Sequence, residues 1–289
     1  MIDIPCYDAF TKIDPIAKGW SGDKKYCVET ADGLRMLLRL SDISEFDRKS
    51  AEYGMMERAH GLGVLTPQPL GFGLCDDGKC CYSLSGWLDG EDAEKKLPLM
   101  SETEQYNLGL KSGGLLRKLH LIPAPCGIEH WSVRFNRRLQ YWIDKYNAKA
   151  DIHSETVEMA IRYLKENCSL LDNRPQSFIH GDFNTVNIIV MPDGIVKTID
   201  FNGYNHTTYG DPWWDMENFA WMPTMFPHFH TGQIHGYFNG SPSHGLEPPI
   251  EFWNVLTYYL VYDTLTASTD PQDLNDIEDG AKIVNNILE

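Results

Sequence analysis

One segment constrains the fold of this chain more than any other. Residues 180–187 read His-Gly-Asp-Phe-Asn-Thr-Val-Asn, and residues 188–199 form two apolar runs on either side of Pro-Asp-Gly. Short apolar runs that flank an Asp-Gly turn predict a β-hairpin. Because the second strand of a hairpin returns to the start of the first, Asp200 is expected beside Asn187, with Asp182 at the other end of the polar loop. The sequence therefore predicts that three oxygen-bearing side chains meet at one edge of this hairpin.

These three side chains match the requirements of phosphoryl transfer. Mg²⁺ prefers oxygen ligands and takes one or two carboxylates, with phosphate oxygens and water in its other positions. Asn187 and Asp200 are therefore predicted metal ligands, and Asp182 is left to accept a hydrogen bond from an incoming hydroxyl. The alternative is that His180, Asp182 and Asn187 only stabilise a tight loop, since Asp and Asn are common in turns.

The first ninety residues have the pattern of strands with one helix. Residues 26–30 and 34–40 are β-prone runs around Ala-Asp-Gly, which predicts a hairpin. A helix is expected to follow, with Ser44 in a capping pattern at its start and Gly61 at its end. A second strand pair is predicted between residues 70 and 84, around Asp-Asp-Gly.

Beyond residue 88 the pattern changes to helices. Ser101 and Glu104 form a capping box, and apolar residues at helical spacing continue to Leu119. The other predicted helices are at 141–149, 154–167 and 251–268, and residues 202–250 are interpreted as a loop rich in Trp and Pro. The expected architecture is α+β, with a β-rich domain at residues 1–88 and a larger helical domain at residues 89–289.

The charge balance makes several classes of partner unfavourable. Asp and Glu number 41 against 25 Lys and Arg, so the net charge is −16. Such a protein repels phosphate backbones and anionic lipids, so we expect neither nucleic acid nor a membrane as a partner, whereas a polycation would be attracted. The alternative is that the acidic surface only maintains solubility.

Targeting and cysteine signals point to the cytoplasm. No apolar stretch approaches the ~20 residues of a membrane span, and no secretory signal is recognisable. The seven cysteines lack the spacing of a zinc site. We therefore expect a cytoplasmic protein with free thiols that is a monomer or a small homo-oligomer.

The motif at residues 180–190, together with Ile-Asp-Phe at residues 199–201, resembles the aminoglycoside phosphotransferase family. That family is part of the protein-kinase-like superfamily, which includes choline kinases. The resemblance implies a two-lobed fold, with a small β-rich N-lobe, a larger helical C-lobe and ATP or GTP held between them. It also implies that Asp182 is the catalytic base-like residue, that Asn187 and Asp200 hold Mg²⁺, and that His180 orders the loop. Asp-Phe-Asn stands where protein kinases have Asp-Phe-Gly, a departure common in the family.

The resemblance also assigns a nucleotide site. Residues 18–26 look like the loop that covers the nucleotide, where two glycines would let backbone N–H groups approach phosphates. Arg39 stands where a kinase has Lys and would bind the phosphates, held by Glu52 on the next helix or, as runner-up, by Glu45. The alternative is a surface ion pair of little energetic value. Residues 85–88 fall at the hinge that contacts the purine. The implied nucleotide-binding residues are Ser21, Gly22, Arg39, Glu52, Ser85 and Trp87.

Three further groups of residues belong to the helical region. The Leu-x-x-Leu-His pattern that ends at His120 suggests a structural histidine. The Gly-Asp-Pro-x-x-Asp motif implies that Asp215 hydrogen-bonds the catalytic-loop backbone and that Asp211 caps the helix opened by Pro212. Four further histidines, at positions 228, 230, 235 and 244, fall in the predicted loop and are interpreted as solvated or packed on aromatics rather than as metal ligands.

The acceptor site in this family lies in the helical lobe. A mixture of carboxylates and aromatic rings there would suit a polyamino sugar, although the aromatic residues could equally form the core of the lobe. The candidate lining residues are Trp214, Glu217, Asn218, Glu247, Glu251, Trp253, Tyr258, Tyr259 and Asp263.

The leading hypothesis is a magnesium-dependent kinase that moves the γ-phosphate of ATP or GTP to a hydroxyl of a small, cationic acceptor. An aminoglycoside, with a role in antibiotic resistance, leads among acceptors. An amino alcohol such as choline, another antibiotic or another metabolite follows. The alternatives are a non-catalytic pseudokinase and a protein kinase, the latter disfavoured because no Ala-Pro-Glu activation segment lies between Asp200 and Asp211.

Overall fold

The N-terminal part folds as an antiparallel sheet with one helix. The computed structural model describes residues 3–17, 22–148, 154–201, 208–219, 225–239 and 247–269. Its first sheet has five strands in the order β1-β2-β3-β5-β4. The strands are β1 Phe10–Ile16, β2 Lys24–Thr30, β3 Arg35–Asp42, β4 Pro69–Cys75 and β5 Cys80–Gly86, and helix α1, Phe46–Gly61, lies between β3 and β4. Both predicted strand pairs are confirmed, and β1 adds an edge strand that the sequence pattern did not reveal.

Alternation along the central strands gives the sheet two different faces. Val28, Leu38 and Leu84 are buried in an apolar cluster with Ile4 on the outer face. The opposite face carries Arg39 and faces α1 and the helical region. The helix begins at Phe46, slightly later than predicted, and no side chain caps it, whereas Asp42 caps the short turn that precedes it. Its Oδ1 accepts a hydrogen bond from the Ser44 N–H over 2.9 Å, in a short 3-10 turn before α1.

The remainder of the described chain is mostly helical. Ser101 caps α3 through the predicted capping box, whereas α4 begins ten residues before its predicted start. No helix among the described residues is long and apolar enough to span a membrane. The helices are α2 Ala93–Lys96, α3 Glu102–His120, α4 Trp131–Asn147, α5 Glu155–Glu166, α6 Pro227–Phe238 and α7 Ile250–Thr269. The short strands are β6 Glu91–Asp92, β7 Ser177–Phe178, β8 Ile188–Val190, β9 Val196–Thr198 and β10 Tyr209–Gly210.

Helix α6 corrects the interpretation of residues 202–250 as a loop. It spans Pro227–Phe238, so His228, His230 and His235 lie on a helix, whereas His244 lies outside the described residues. Helix α6 packs against α3 at very short range, because Gly232 faces the backbone of α3 and Gly113 faces the backbone of α6. Both helices belong to a large apolar cluster that also includes Met55 and Ala59 of α1. One continuous core therefore connects the β-rich and helical regions, and the predicted boundary at residue 88 falls between β5 and β6.

Candidate active site

The predicted hairpin forms and carries the catalytic candidates. Strands β8 and β9 pair antiparallel, and the N–H of Ile199 donates to the carbonyl of Asn187 over 3.0 Å. Asp200 follows directly, so the chain returns it to the end of the hairpin where the polar loop enters. Nδ2 of Asn187 donates to Oδ2 of Asp182 over 2.8 Å. The described residues thus bring all three oxygen-bearing side chains to one edge of the hairpin.

His180 is buried and ties the loop to the return strand. Its Nε2 lies 2.7 Å from Oγ1 of Thr198 and 3.0 Å from the carbonyl oxygen of Ile199. The Asp182 N–H donates to its Nδ1 over 3.2 Å. Because Nδ1 is an acceptor, the ring carries its proton on Nε2 and donates from there. Burial lowers the pKa of His180, against the nearby carboxylates, which favours this neutral form.

Asp215 holds the catalytic loop, residues 180–187, through hydrogen bonds to its backbone. Its carboxylate accepts hydrogen bonds from the backbone N–H of His180 over 2.5 Å and of Gly181 over 2.7 Å. Nε2 of His120 lies 2.9 Å from Oδ2 of the same carboxylate, and the hydroxyl of Tyr237 lies 2.9 Å from Nδ1 of His120. The hydrogen bonds to the loop backbone are those proposed for Asp215 from the sequence, whereas His120 was expected only to be structural. Its contacts with Asp215 and Tyr237 link α3 and α6 to the catalytic loop.

Asp182 is held between two amide side chains. Nδ2 of Asn184 donates to Oδ1 over 2.7 Å, while Asn187 donates to Oδ2. Burial raises the pKa of Asp182, and the charge of Asp200 adds to this effect, whereas His180 and the hydrogen bond from Asn187 oppose it. Because both oxygens accept an N–H, the plane of the carboxylate is fixed. Asn184 was missed from the sequence, since an Asn two residues after an Asp is an ordinary turn pattern.

Replacing Asn184 by Asp tests whether it orients the Asp182 carboxylate. The new side chain keeps an oxygen for the N–H groups of Val186, at 3.0 Å, and Asn187, at 3.3 Å, but replaces the donor to Asp182 with an acceptor. Loss of one charge-assisted hydrogen bond predicts a kcat lowered about 10- to 100-fold, with an unchanged KM for the nucleotide. Steady-state kinetics measure both. If Asn184→Asp has the wild-type kcat and Asn184→Ala has a low one, Asn184 stabilises the loop and does not orient the Asp182 carboxylate.

Arg39 and Asp200 form the ion pair at the centre of the cleft. Asp200 adopts a φ of +58°, a left-handed conformation that Asp tolerates better than most residues. Burial alone would raise the pKa of Asp200, but the charges of Arg39 and Lys25 outweigh it and lower the pKa. The predicted phosphate-binding cation therefore contacts the predicted metal ligand directly.

The predicted pairing of Arg39 with Glu52 is wrong in this structure, and so is the runner-up, Glu45. Arg48 pairs with both carboxylates, three residues before and four residues after it on the helix. Lys49 also lies 3.4 Å from Glu52. Glu52 nevertheless lines the cavity into which Arg39 projects, so it remains close to the proposed phosphate site without holding Arg39.

This cavity, of about 90 Å³, lies where the inner face of the sheet, α1 and the end of the hairpin meet. Ser85 contributes its side chain to the wall, but the N–H groups of Gly86 and Trp87 already donate to the carbonyls of Gln68 and Arg35. These two N–H groups are therefore not free to bind a purine, and other groups of residues 85–88 would have to do so. Gly22 is exposed and does not line the cavity, and Ser21 lies outside the described residues. The lining residues are Leu37, Arg39, Lys49, Glu52, Tyr53, Met56, Pro67, Ser83, Ser85, Ile199, Asp200 and Phe201.

The donor set at the hairpin edge fits Mg²⁺. Arg39 contacts Oδ1 of Asp200, so Oδ2 lies outside that ion pair. Asn187 uses its amide nitrogen on Asp182, so its amide oxygen is the atom left for a metal. Among the described residues, no group of three or more His, Cys, Asp and Glu could hold a metal ion. Two oxygen ligands suit an ion that takes its other ligands from phosphates and water.

The acceptor-site predictions are only partly compatible with the structure. Trp214 is 2% exposed and packs in the core against Trp131, with the two rings tilted, so it cannot line an open site. Glu251 lies 3.1 Å from Arg174, but that guanidinium also pairs with Asp211, and the Glu251 side chain is 62% exposed. Tyr258 and Tyr259 are fully buried as well. Trp253 and Glu247 are exposed, Asp263 is partly accessible, and the side chains of Glu217 and Asn218 lie outside the described residues.

Asp211 belongs to a buried ionic network rather than to an acceptor site. Its carboxylate accepts hydrogen bonds from Nε and Nη2 of Arg174 over 2.7 and 3.0 Å and from the hydroxyl of Tyr259 over 2.8 Å. It also accepts the N–H of Trp213 over 3.0 Å at the start of the 3-10 helix Pro212–Phe219, in agreement with the predicted cap. The aromatic residues around this motif thus belong to the core of the helical region.

The fold combines a five-stranded sheet and helix α1 with a larger helical region. Arg39 of the sheet contacts the end of the β8–β9 hairpin, where the polar side chains lie. This combination is that of a kinase-like phosphotransferase. The phosphotransferase enzyme family (APH) matches residues 12–247. The chain belongs to this family, and it is accordingly an enzyme that transfers phosphate to hydroxyl groups. The predicted two-lobed α+β fold is confirmed.

Solved structures with this fold differ widely in sequence. A choline/ethanolamine kinase family protein from Mesorhizobium loti is 16% identical with a TM-score of 0.65, covering 99% of this chain and 92% of its own. An ADP-bound aminoglycoside phosphotransferase, APH(2'')-Ib, is 14% identical with a TM-score of 0.64 (95% and 92%). The GDP complex of aminoglycoside 2'-phosphotransferase-IIIa is 12% identical with a TM-score of 0.62 (99% and 93%). The search of curated proteins found no significant match.

Proposed function

We propose that the protein is an NTP-dependent O-phosphotransferase whose acceptor is a small, cationic molecule with a free hydroxyl. The observation that carries this proposal is the arrangement at the hairpin edge. Asp182 and Asn187 are hydrogen-bonded to each other, and Asp200 follows them on the return strand beside Arg39. This set supplies a proton acceptor, two metal ligands and a phosphate-binding cation in one cleft.

In the proposed reaction Asp182 accepts a hydrogen bond from the acceptor hydroxyl and takes its proton late in the step. The hydroxyl oxygen bonds to the γ-phosphorus while the bond to the β,γ-bridging oxygen breaks, releasing the nucleoside diphosphate. Mg²⁺, when held by Asn187 and Asp200, neutralises charge on the phosphates. Arg39 donates to phosphate oxygens, and Asp215 and His180 keep the loop backbone in place through their hydrogen bonds.

Two observations support a cationic acceptor and leave its identity open. The net charge of −16 attracts a cation and repels an anion. The structural neighbours carry the names of choline, ethanolamine and aminoglycosides, all of which bear a cationic nitrogen and a hydroxyl. An aminoglycoside, and with it a role in resistance, is our leading proposal, and an amino alcohol the second. ADP and GDP each occupy one neighbour, so both ATP and GTP are proposed donors.

The proposal is tested by incubating the protein with a panel of aminoglycosides and amino alcohols, with ATP and GTP in parallel. We expect acceptor-dependent release of the nucleoside diphosphate and a mass increase of one phosphate in the modified acceptor. Neutral sugars of similar size are the matched controls. Turnover of neutral sugars in preference to all cationic acceptors would contradict the cationic class while leaving the phosphotransferase reaction intact.

Asp200→Asn tests the proposed metal site. Replacing one of two charged or polar ligands weakens metal binding, so we expect the Mg²⁺ concentration for half-maximal rate to rise about tenfold or more. The substitution also leaves Arg39 without its partner. Titration of Mg²⁺ in the kinetic assay measures the effect, with the exposed Glu166→Gln as a control for surface charge. An unchanged Mg²⁺ dependence would remove Asp200 from the metal role.

A further inference from the structure

Lys25 lies directly opposite Arg39 in the sheet. Strands β2 and β3 pair antiparallel, with Lys25 facing Arg39 and Lys24 facing Leu40. Directly opposite residues of an antiparallel pair project from the same face. Arg39 projects toward the cleft and reaches Asp200, so Lys25 projects from the cleft face as well. Lys24, one residue earlier, projects from the other face and is exposed.

The other cations around this point each have an anionic partner. Arg39 pairs with Asp200, and Arg48 pairs with Glu45 and Glu52. Lys49 is almost fully buried and lies 2.6 Å from Oδ2 of Asp23, whose other oxygen accepts the hydroxyl of Ser41 over 2.7 Å. The four carboxylates in these contacts, those of Asp200, Glu45, Glu52 and Asp23, are thereby already paired.

Lys25 differs from them. It is half-buried, and within the described parts of the chain its ammonium group makes no hydrogen bond and no ion pair. A partly desolvated ammonium without a partner costs free energy, which a bound anion recovers. Burial lowers the pKa of Lys25, and Arg39 lowers it further, while Asp200 and Asp23 oppose the shift. The charge of Lys25 also lowers the pKa of Asp200, behind that of Arg39, as its position opposite Arg39 in the sheet leads one to expect.

We propose that Lys25 is a second phosphate-binding cation that binds the polyphosphate of the nucleotide together with Arg39. This rests on the proposed function, because it uses the same cleft. It assigns an anionic contact to the ammonium group of Lys25 and gives β2 a specific part in nucleotide binding. Since only the phosphates carry negative charge, Lys25 contributes to the affinity for the triphosphate and diphosphate and not to that for the nucleoside.

The test compares Lys25→Met, which keeps the length of the side chain, with Lys25→Arg, which keeps its charge, and with Lys24→Met as a matched control. Calorimetry with Mg²⁺ measures Kd for the NTP that the wild-type protein uses, for its diphosphate and for its nucleoside. Loss of one charge-assisted contact predicts an NTP affinity at least about tenfold weaker in Lys25→Met, near wild-type in the other two variants. Nucleoside affinity is expected to be unchanged in all three.

The inference is wrong if Lys25→Met binds NTP as tightly as Lys24→Met does, or more tightly because repulsion of Arg39 is relieved. The proposed function would stand in that case. Failure of the wild-type protein to bind any NTP would instead overturn the proposed function and this inference with it. Thermal melting establishes that each variant is folded. Lys25→Gln replaces the Met variant if that one does not fold.

Discussion

Asp182→Asn is expected to lower the rate of phosphate transfer about 10³-fold, while nucleotide affinity stays within about threefold of wild-type. The change removes the proton acceptor but keeps the size of the side chain and one oxygen acceptor for the neighbouring amides. Those amides belong to Asn184 and Asn187, at 2.7 and 2.8 Å. Single-turnover assays measure transfer, and calorimetry measures nucleotide affinity.

The same experiment separates catalysis from loop stabilisation. His180 and Asp215 hold the loop through contacts to its backbone and to Thr198 of β9 that do not involve the Asp182 carboxylate. A catalytic Asp182 therefore predicts a melting temperature close to that of wild-type. A large drop in melting temperature that accompanies the loss of activity would support the loop-capping interpretation instead. Retention of more than a tenth of the wild-type rate would contradict the proposed proton transfer.

The parts of the site that sequence could predict are those fixed by local signals. A hairpin with an Asp-Gly turn returns its second strand next to its first whatever surrounds it, so the placement of Asp200 near Asn187 follows from the chain itself. The capping box of Ser101 and Glu104 is similarly local. The support of the loop by Asp215 came only from the resemblance to a family, because 35 residues separate it from His180.

Ion-pair partners were harder to predict, because several charges compete. Both glutamates considered for Arg39 stand at helical spacing from Arg48, which pairs with each of them. Pairs three or four residues apart on a helix meet without any tertiary contact, so this competition could have been recognised. The pairing of Arg39 with Asp200 joins residues 161 positions apart and depends on how the sheet sits over the hairpin.

The orientation of aromatic residues needed the tertiary structure. Trp214, Tyr258 and Tyr259 pack around Phe135 in the interior, yet an aromatic side chain in the sequence is equally compatible with a ligand site. Helix α6 was missed for a related reason. Its histidines, Thr231 and Gln233 are intermixed with apolar residues and glycines around the helix, so it lacks the separate apolar and polar faces that identify a surface helix.

The glycines of α6 and α3 gave a signal that was not used. Gly109 and Gly113 are four residues apart on α3, and Gly232 and Gly236 are four apart on α6, so each pair lies on one face of its helix. Small residues at this spacing allow two helix backbones to approach closely. A Cβ on Gly113 would lie 1.9 Å from the carbonyl oxygen of Gln233, which leaves no room for a side chain.

Gly113→Ala is therefore expected to lower the free energy of unfolding by about 3 kcal/mol or more, at the upper end of overpacking effects. The adjacent Gly114 faces open space, so Gly114→Ala is the matched control and should stabilise the helix by up to about 1 kcal/mol. Denaturant unfolding measures the free energy of unfolding of both variants. Because both replace Gly by Ala within α3, the gain in helix propensity is the same and cancels in the comparison. Equal stability of the two variants would contradict the close approach of the helices.

This packing also reaches the active site. Helix α6 supplies Tyr237, which contacts His120 at the end of α3, and His120 in turn contacts Asp215 under the catalytic loop. Separation of the helices by an added methyl group would displace this chain of hydrogen bonds. We therefore expect folded Gly113→Ala protein to lose phosphate-transfer activity below its melting transition, whereas Gly114→Ala retains it. Full activity in folded Gly113→Ala protein would show that α6 does not position the catalytic loop.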